Sequence, residues 1–144
     1  MRSKTVRSRA PLRLGLAGGG TDVAPYCDVY GGCVLNSTIA RYAWTTISSE
    51  ESGGVRFCSA DLNTQLFFRS GDDVCLEGSL LLHQAVYRVI IERYNAGKWI
   101  PLSVTTSCEA PMGSGLGASS TIVVSMIKAY DEFFGLSLDD YELA

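Results

Sequence analysis

Pro111-Met112-Gly113-Ser114-Gly115-Leu116-Gly117-Ala118-Ser119-Ser120-Thr121 is the stretch on which the fold turns. Three glycines alternate with small or apolar residues, hydroxyls follow, and an apolar run then opens. Upstream, Leu102 to Cys108 alternates in polarity and is rich in β-branched residues, which predicts a strand. Downstream, Ile122, Val123, Met126, Ile127, Tyr130 and Phe134 recur at helical spacing. The order is strand, glycine loop, helix. Such a loop presents consecutive backbone N–H groups at a helix N-terminus, where unsatisfied donors and the helix dipole both attract an anion. Glycine lets that backbone approach phosphate oxygens with no Cβ in the way.

Two familiar phosphate loops do not fit. A Walker A loop requires Lys and then Ser or Thr after its last glycine, and Ala118 stands in the lysine position. A dinucleotide fingerprint needs G-x-G-x-x-G, whereas Gly113, Gly115 and Gly117 are spaced G-x-G-x-G. A plain strand-to-helix turn with Ser119 as its N-cap remains open beside the phosphate site.

At 144 residues with 47% hydrophobic and 19% charged content, the chain is at most one globular domain with a substantial core. Its net charge of -3 provides no basic field for nucleic acid. No apolar run approaches the ~20 residues of a membrane span, and the basic N-terminus lacks the apolar stretch of a signal peptide. Cys27, Cys33, Cys58, Cys75 and Cys108 form no C-x-x-C pair and are odd in number, which favours reduced cytoplasmic thiols over a disulfide framework or a metal site.

Residues 5–16 alternate as a strand, with Pro11 placing it at an edge or at a break. Residues 33–48 predict one long strand or two with a bend. Val55 to Ala60 and Leu66 to Arg69 pair as a hairpin around Asp61-Leu62-Asn63-Thr64. Leu80 to Tyr94 is helical, with Leu82, Val86, Val89 and Ile90 on one face, and Asn95-Ala96-Gly97 ends it. The sum is a two-layer α+β domain. In Leu138-Asp139-Asp140-Tyr141-Glu142-Leu143-Ala144 two acids precede helix formers, with Ser137 as a plausible N-cap. A chain ending about a turn into a helix is expected to be truncated. His83, the single histidine, is packed or solvated unless it meets a phosphate; Arg69, Arg88 and Arg93 either reach a phosphate or serve solubility.

A second glycine cluster, Gly18-Gly19-Gly20-Thr21-Asp22, sets a carboxylate straight after a flexible run. Asp22 there suits vicinal sugar hydroxyls, or equally an Asx-type turn.

Together the two clusters resemble the GHMP superfamily of small-molecule kinases, and the likeness extends over essentially the whole chain. Pro111, Gly115-Leu116-Gly117 and Ser119 match that family's P-x-x-x-G-L-G-S-S-A signature, with Ala118 in place of its first serine and Ser120 where alanine is usual. Pro11-Leu12-Arg13, Gly18 and Thr21-Asp22 resemble the P-G-R…G-E-H-T-D segment of the sugar kinases. Gly19-Gly20 in place of Glu-His sets the chain apart from galactokinases. The run from Arg9 to Val23, Leu82 to Tyr87 and Leu138 to Tyr141 look like the branch acting on D-glycero-D-manno-heptose 7-phosphate.

The resemblance implies a ribosomal-protein-like βαβ sandwich, residues 1–144 forming an incomplete N-terminal GHMP domain without its C-terminal partner. It implies ATP and Mg²⁺ as cofactors, a small sugar phosphate as substrate, and the cytoplasm as location, with neither nucleic acid nor membrane as partner. Pro111, Gly113, Ser114, Gly115, Leu116, Gly117, Ala118, Ser119 and Ser120 are the implied nucleotide-binding residues, with Ser119 the metal ligand ahead of Ser120. Gly18, Gly19, Gly20, Thr21 and Asp22 are implied for the sugar, and Arg13 as the catalytic cation beside the reacting hydroxyl. The implied reaction phosphorylates the anomeric hydroxyl to the 1,7-bisphosphate used for activated heptose of surface polysaccharide. A fucokinase-like enzyme, or a catalytically inactive sugar- or nucleotide-binding module, is the alternative. Asp131, Glu132, Asp139 and Asp140 are expected on the solvated side of the last helices. The helix from Ile122 to Phe134 is expected to leave apolar surface uncovered.

Overall fold

The computed structural model describes residues 4–72, 74, 76–111 and 113–143, so Met112 of the glycine loop, Cys75 and the terminal Ala144 lie outside the described residues. Strands β1 (Thr5–Ala17), β2 (Leu35–Ser49), β3 (Val55–Ser59), β4 (Thr64–Phe68) and β5 (Leu102–Cys108) form one sheet in the order β1-β2-β5-β3-β4. Helix α1 (Tyr26–Tyr30) lies between β1 and β2, α2 (Leu81–Tyr94) between β4 and β5, and α3 (Ala118–Phe134) and α4 (Asp140–Leu143) end the chain. Helices on one face of a mixed sheet make the two-layer α+β domain that the patterning predicts.

β5 runs antiparallel to β2 and parallel to β3, and β1 is antiparallel to β2. The C-terminal ends of β1, β3 and β5 therefore point to the same edge of the sheet. Pro11 is accommodated as expected, on an edge strand, where the β1–β2 ladder shifts register between Pro11 and Arg13. Residues 35–49 form a single strand. β5 pairs with it only from Ala43 to Ser49, so its first half and the end of β1 extend as a two-stranded arm. Exposed Leu14, Leu16 and Leu35 lie on this arm, and Val23, Tyr26, Val29 and Tyr30 lie in the connection that carries α1.

The core joins Ile47, Val55, Phe57, Leu102 and Val104 of the sheet to Tyr87 and Ile90 of α2 and to Met126, Ala129 and Tyr130 of α3. Two expectations are corrected here. On α2 the buried set is His83, Gln84, Val86, Tyr87, Ile90 and Ile91, while Leu82 and Val89 stay exposed. Hydrogen bonds rotate the helix this way: the Tyr87 hydroxyl exchanges bonds with the Ile100 N–H and carbonyl (3.0 and 3.2 Å), so an aromatic with a satisfied polar tip displaces plain aliphatics from the core. Nor is α3 the uncovered apolar surface. It packs against β1, β2 and β5, and its Ile122, Val123, Ile127, Phe133 and Phe134 lie against the core. Small hydroxyl residues allow the close approach: Thr45 and Ser125 share a buried 2.6 Å hydrogen bond, and Ser8 donates to the Ser125 carbonyl at 2.5 Å.

The last helices also differ from expectation. Asp131 is buried. Its carboxylate accepts bonds from Lys128 (2.8 Å) and the Leu138 amide (3.1 Å), so it holds the turn after α3 and is not on the solvated side. The N-cap of α4 is Asp139, not Ser137. Its side chain accepts the Tyr141 and Glu142 amides at 2.9 Å, and Glu142 bonds back to the Asp139 amide, a reciprocal capping box.

Candidate functional site

The loop between β5 and α3 is built by its glycines. Gly113, Gly115 and Gly117 all take left-handed φ values of 70–77°, a region that costs any side-chain-bearing residue. Gly117 is doubly constrained, because a Cβ there would lie 3.1 Å from Arg13 Nε. The Ser114 amide closes onto the Pro111 carbonyl (3.2 Å), and the Leu116 carbonyl accepts the Arg13 amide (3.2 Å), which ties the loop to β1. Helix α3 begins at Ala118 with Gly117 as its N-cap residue, carries no side-chain cap, and has no acid in its first turn. Ser119 is thus inside the helix and is not the N-cap. The amides of its first turn, apart from Thr121, which donates to Gly117, have no intrahelical acceptor. This is the polarity that an anion meets favourably.

A cavity of about 480 Å³ opens on this loop at the C-terminal ends of the parallel strands β3 and β5. Crevices outside the carboxyl ends of strands are where ligands settle on α/β sheets. Gly113, Ser114, Gly115, Gly117, Ala118, Ser119 and Ser120 line it; Pro111 and Leu116 do not, and act through their carbonyls on loop shape. Ser59, Asp61, Leu62, His83, Thr106 and Cys108 complete much of the wall; of these the sequence weighed only His83 for a ligand, and marked Asp61 and Leu62 as a hairpin turn. The parallel β3–β5 pairing that brings Asp61 to the loop joins residues 47 positions apart, so no local spacing signals it.

His83 is buried, with Nε2 2.9 Å from the Thr106 hydroxyl. Burial pushes its pKa from 6.5 down to about 4, only partly opposed by the Cys58 backbone, so at neutral pH it brings no cation to a phosphate. Arg69, Arg88 and Arg93 do not line the cavity; Arg88 pairs with Glu92 at 3.5 Å. Cys27, Cys33, Cys58 and Cys108 are free thiols, and no group of three or more His, Cys, Asp or Glu gathers as a metal cage among the described residues.

The turn Gly18–Asp22 leaves the same sheet edge at the end of β1 but stays off the cavity wall. It is pinned to the start of β2. The Thr21 hydroxyl donates to the Gly18 carbonyl (2.7 Å) and accepts the Cys33 amide (3.1 Å). A Cβ on Gly18 would fall 1.9 Å from the Cys33 carbonyl oxygen, so only glycine fits. Gly19 and Gly20 face open space, and the Asp22 side chain is exposed. Arg13 lies between the two glycine segments: its side chain crosses Gly117, and Gly18 is five residues further along β1 and its turn.

Comparison with known proteins gives a consistent picture. Residues 81–144 match the family model described as GHMP kinases N terminal domain. The chain is 43% identical over 141 residues to D-glycero-alpha-D-manno-heptose 7-phosphate kinase of Campylobacter jejuni, covering 98% of this chain and 41% of that protein. It superposes with a TM-score of 0.88 and 46% identity on a D-glycero-D-manno-heptose 1-phosphate kinase from Bacteroides thetaiotaomicron, over 96% of this chain and 45% of that one. A sugar kinase structure from Campylobacter jejuni, described as putative, matches with a TM-score of 0.84 and 43% identity, over 97% and 42% of the two chains. The chain therefore spans about two fifths of the length of the relatives it matches. No described helix is long and apolar enough to cross a membrane.

Proposed function

Because this chain belongs to the GHMP kinases and carries their N-terminal domain, we propose that it is the nucleotide-binding part of a sugar kinase that transfers the γ-phosphoryl group of ATP to the anomeric hydroxyl of D-glycero-D-manno-heptose 7-phosphate. The product is the 1,7-bisphosphate, an intermediate toward activated heptose, and the location is the cytoplasm. The observation that carries the reading is the cavity whose wall is the Gly113–Ser120 loop and the uncapped start of α3. The names of the two heptose kinase relatives support the acceptor class. They differ in which heptose phosphate they specify, and our reading takes the 7-phosphate.

Gly113 to Ser120 cradle the triphosphate, with backbone N–H groups directed at its oxygens. Arg13, held across Gly117, supplies a fixed cation beside the transferring group. Asp22 accepts hydrogen bonds from sugar hydroxyls, on a turn that Thr21 keeps rigid. The exposed Ser119 hydroxyl suits a hard cation as one oxygen ligand. With no carboxylate cage among the described residues, the nucleotide phosphates would complete the shell of a Mg²⁺ ion. Such an ion neutralises charge on the phosphates. The chain's own contribution is positioning and electrostatics, from which phosphoryl transfer gains most of its rate. The reading places the acid that orients the attacking hydroxyl, and a C-terminal domain, on polypeptide outside residues 1–144.

The test is phosphoryl transfer by the full-length polypeptide, followed by phosphorus NMR of the product. Heptose 7-phosphate is expected to exceed galactose by at least about 100-fold in kcat/KM, about 3 kcal/mol of differential transition-state binding. Comparable turnover of galactose, or a new phosphate at a position other than the anomeric oxygen, would refute it.

A further inference from the structure

Helix α3 is tied to the N-terminal strand at both ends and in the middle. Near its C-terminal end Lys4 Nζ donates to the Glu132 carbonyl at 3.1 Å. Midway, the Ser8 hydroxyl donates to the Ser125 carbonyl. Ahead of its first turn the Arg13 amide donates to the Leu116 carbonyl at 3.2 Å, and the Arg13 side chain crosses Gly117. The helix thus runs antiparallel along β1, and whatever fixes its middle fixes how far its first turn reaches toward Arg13.

That middle is held by hydroxyls where apolar packing would be the ordinary choice. Thr45 and Ser125 are both fully buried, and Ala10 and Ala43, paired in register beside them on β1 and β2, are small enough to let the helix close in. The protons of this seam can be assigned. Ser125 Oγ donates its single proton to the Ile122 carbonyl at 2.9 Å, so in the 2.6 Å contact Thr45 Oγ1 is the donor and Ser125 Oγ the acceptor. A chain of donors therefore runs from β2 through Ser125 to a carbonyl about one turn closer to the glycine loop. Purely apolar contact tolerates a small slide of a helix. Buried hydrogen bonds do not, because a displaced helix leaves a hydroxyl or carbonyl unpaired away from water.

We propose that Thr45 is a positioning residue for phosphoryl transfer: through Ser125 it sets where α3 stops along β1, and so where the donors of its first turn stand relative to Arg13. The inference rests on the glycine loop and Arg13 being the transfer site. Thr45 does not line the cavity, so it acts only through the helix. A slip of α3 by one residue moves its start about 1.5 Å, and a misplacement near 1 Å can cost about 100-fold in rate. Many backbone donors share the binding of a triphosphate, whereas alignment of the transferring group with Arg13 is a single geometry. The loss therefore falls on kcat more than on KM.

Two substitutions in the full-length polypeptide separate this from simple packing. Thr45→Val keeps the side-chain shape and removes the hydroxyl; Thr45→Ser keeps the hydroxyl and opens a methyl-sized void. With ATP and heptose 7-phosphate, Thr45→Val is expected to lower kcat at least about tenfold, with both KM values within about threefold, while Thr45→Ser stays within about threefold of the parent in kcat. Hydrogen exchange of the Arg13 amide, which Leu116 holds, reads the same joint without turnover and should quicken at least about fivefold in Thr45→Val alone. Parental kcat and exchange in Thr45→Val, or a loss in Thr45→Ser as large as in Thr45→Val, overturn the role of Thr45 and leave the kinase reading standing. Faster exchange with kcat unchanged removes Arg13 from the transfer site, and absence of phosphoryl transfer in the parent removes the kinase reading; either overturns this inference with it.

Discussion

Ser119 occupies the second position of α3 with its hydroxyl exposed and the helix start uncapped beside it. Because Gly117 is the N-cap residue, truncating Ser119 removes no cap. Ser119→Ala is therefore expected to leave the melting temperature within about 2 °C, as an exposed helical position gaining a better helix former. If the hydroxyl ligates the metal, kcat should fall at least about tenfold with little change in the sugar KM. An earlier melt with normal turnover would return Ser119 to a structural role. His83 makes the opposite kind of prediction, on stability. Its folded pKa, about 4, is depressed below the ordinary 6.5, so between those values the unfolded chain binds a proton that the folded chain refuses. Stability is then full above pH 6.5 and is lost as pH falls toward 4, by about 2 kcal/mol between pH 7.5 and 5. Urea midpoints at the two pH values measure it, and His83→Gln should flatten the difference.

At the scale of elements, the joint between β5, α3 and β1 decides where charge can be placed. Gly117 takes φ +70° where the side chain of Arg13 crosses it, and the Arg13 amide bonds Leu116. Gly117→Ala meets both the left-handed backbone and Arg13 Nε at 3.1 Å, and is expected to destabilise by about 1–2 kcal/mol. The arginine would also be displaced, so turnover should fall further than stability accounts for, with kcat/KM down at least about tenfold. Equal activity in the alanine variant would remove Arg13 from the site. The turn from α3 to α4 depends on Asp131 in the same manner. Lys128 beside it and the Leu138 amide hold its carboxyl below the ordinary range. Asp131→Ala leaves that amide without its acceptor and should cost about 1–3 kcal/mol in a denaturant titration.

For the whole molecule, the most unusual surface is the arm of β1 and β2 with α1, where Leu14, Leu16, Tyr26, Val29, Tyr30 and Leu35 stand exposed. Large apolar side chains left exposed in this number favour association. Produced by itself, the stretch 1–144 is expected to self-associate in light scattering at micromolar concentration and to transfer no phosphate measurably. Monomeric behaviour together with turnover near that of a full-length polypeptide would contradict this, and would place the catalytic acid among carboxylates already in the stretch.

Much of this was legible in the sequence because it rests on local periodicity. The strand from Leu102 to Cys108, the helix after Gly117 and the β3–β4 hairpin follow from alternation, helical spacing and turn residues that act within a few positions. The glycine loop advertised its own backbone shape, since three left-handed residues in five positions need glycine wherever they occur. Features depending on partners distant in the chain were not legible. The buried face of α2 was set by hydrogen bonds from Tyr87 and His83 to β5 and its approach, which apolar spacing does not report. The cap of α4 passed from Ser137 to Asp139, and Asp131 was drawn inward to meet the amide of Leu138. Only the parallel pairing of β3 with β5 carried Asp61 to the phosphate loop, and only the β1 edge carried Arg13 across Gly117. Local chemistry writes the elements and the loop into the sequence, whereas the wall of the cavity is assembled by strand order, which short-range pattern does not encode.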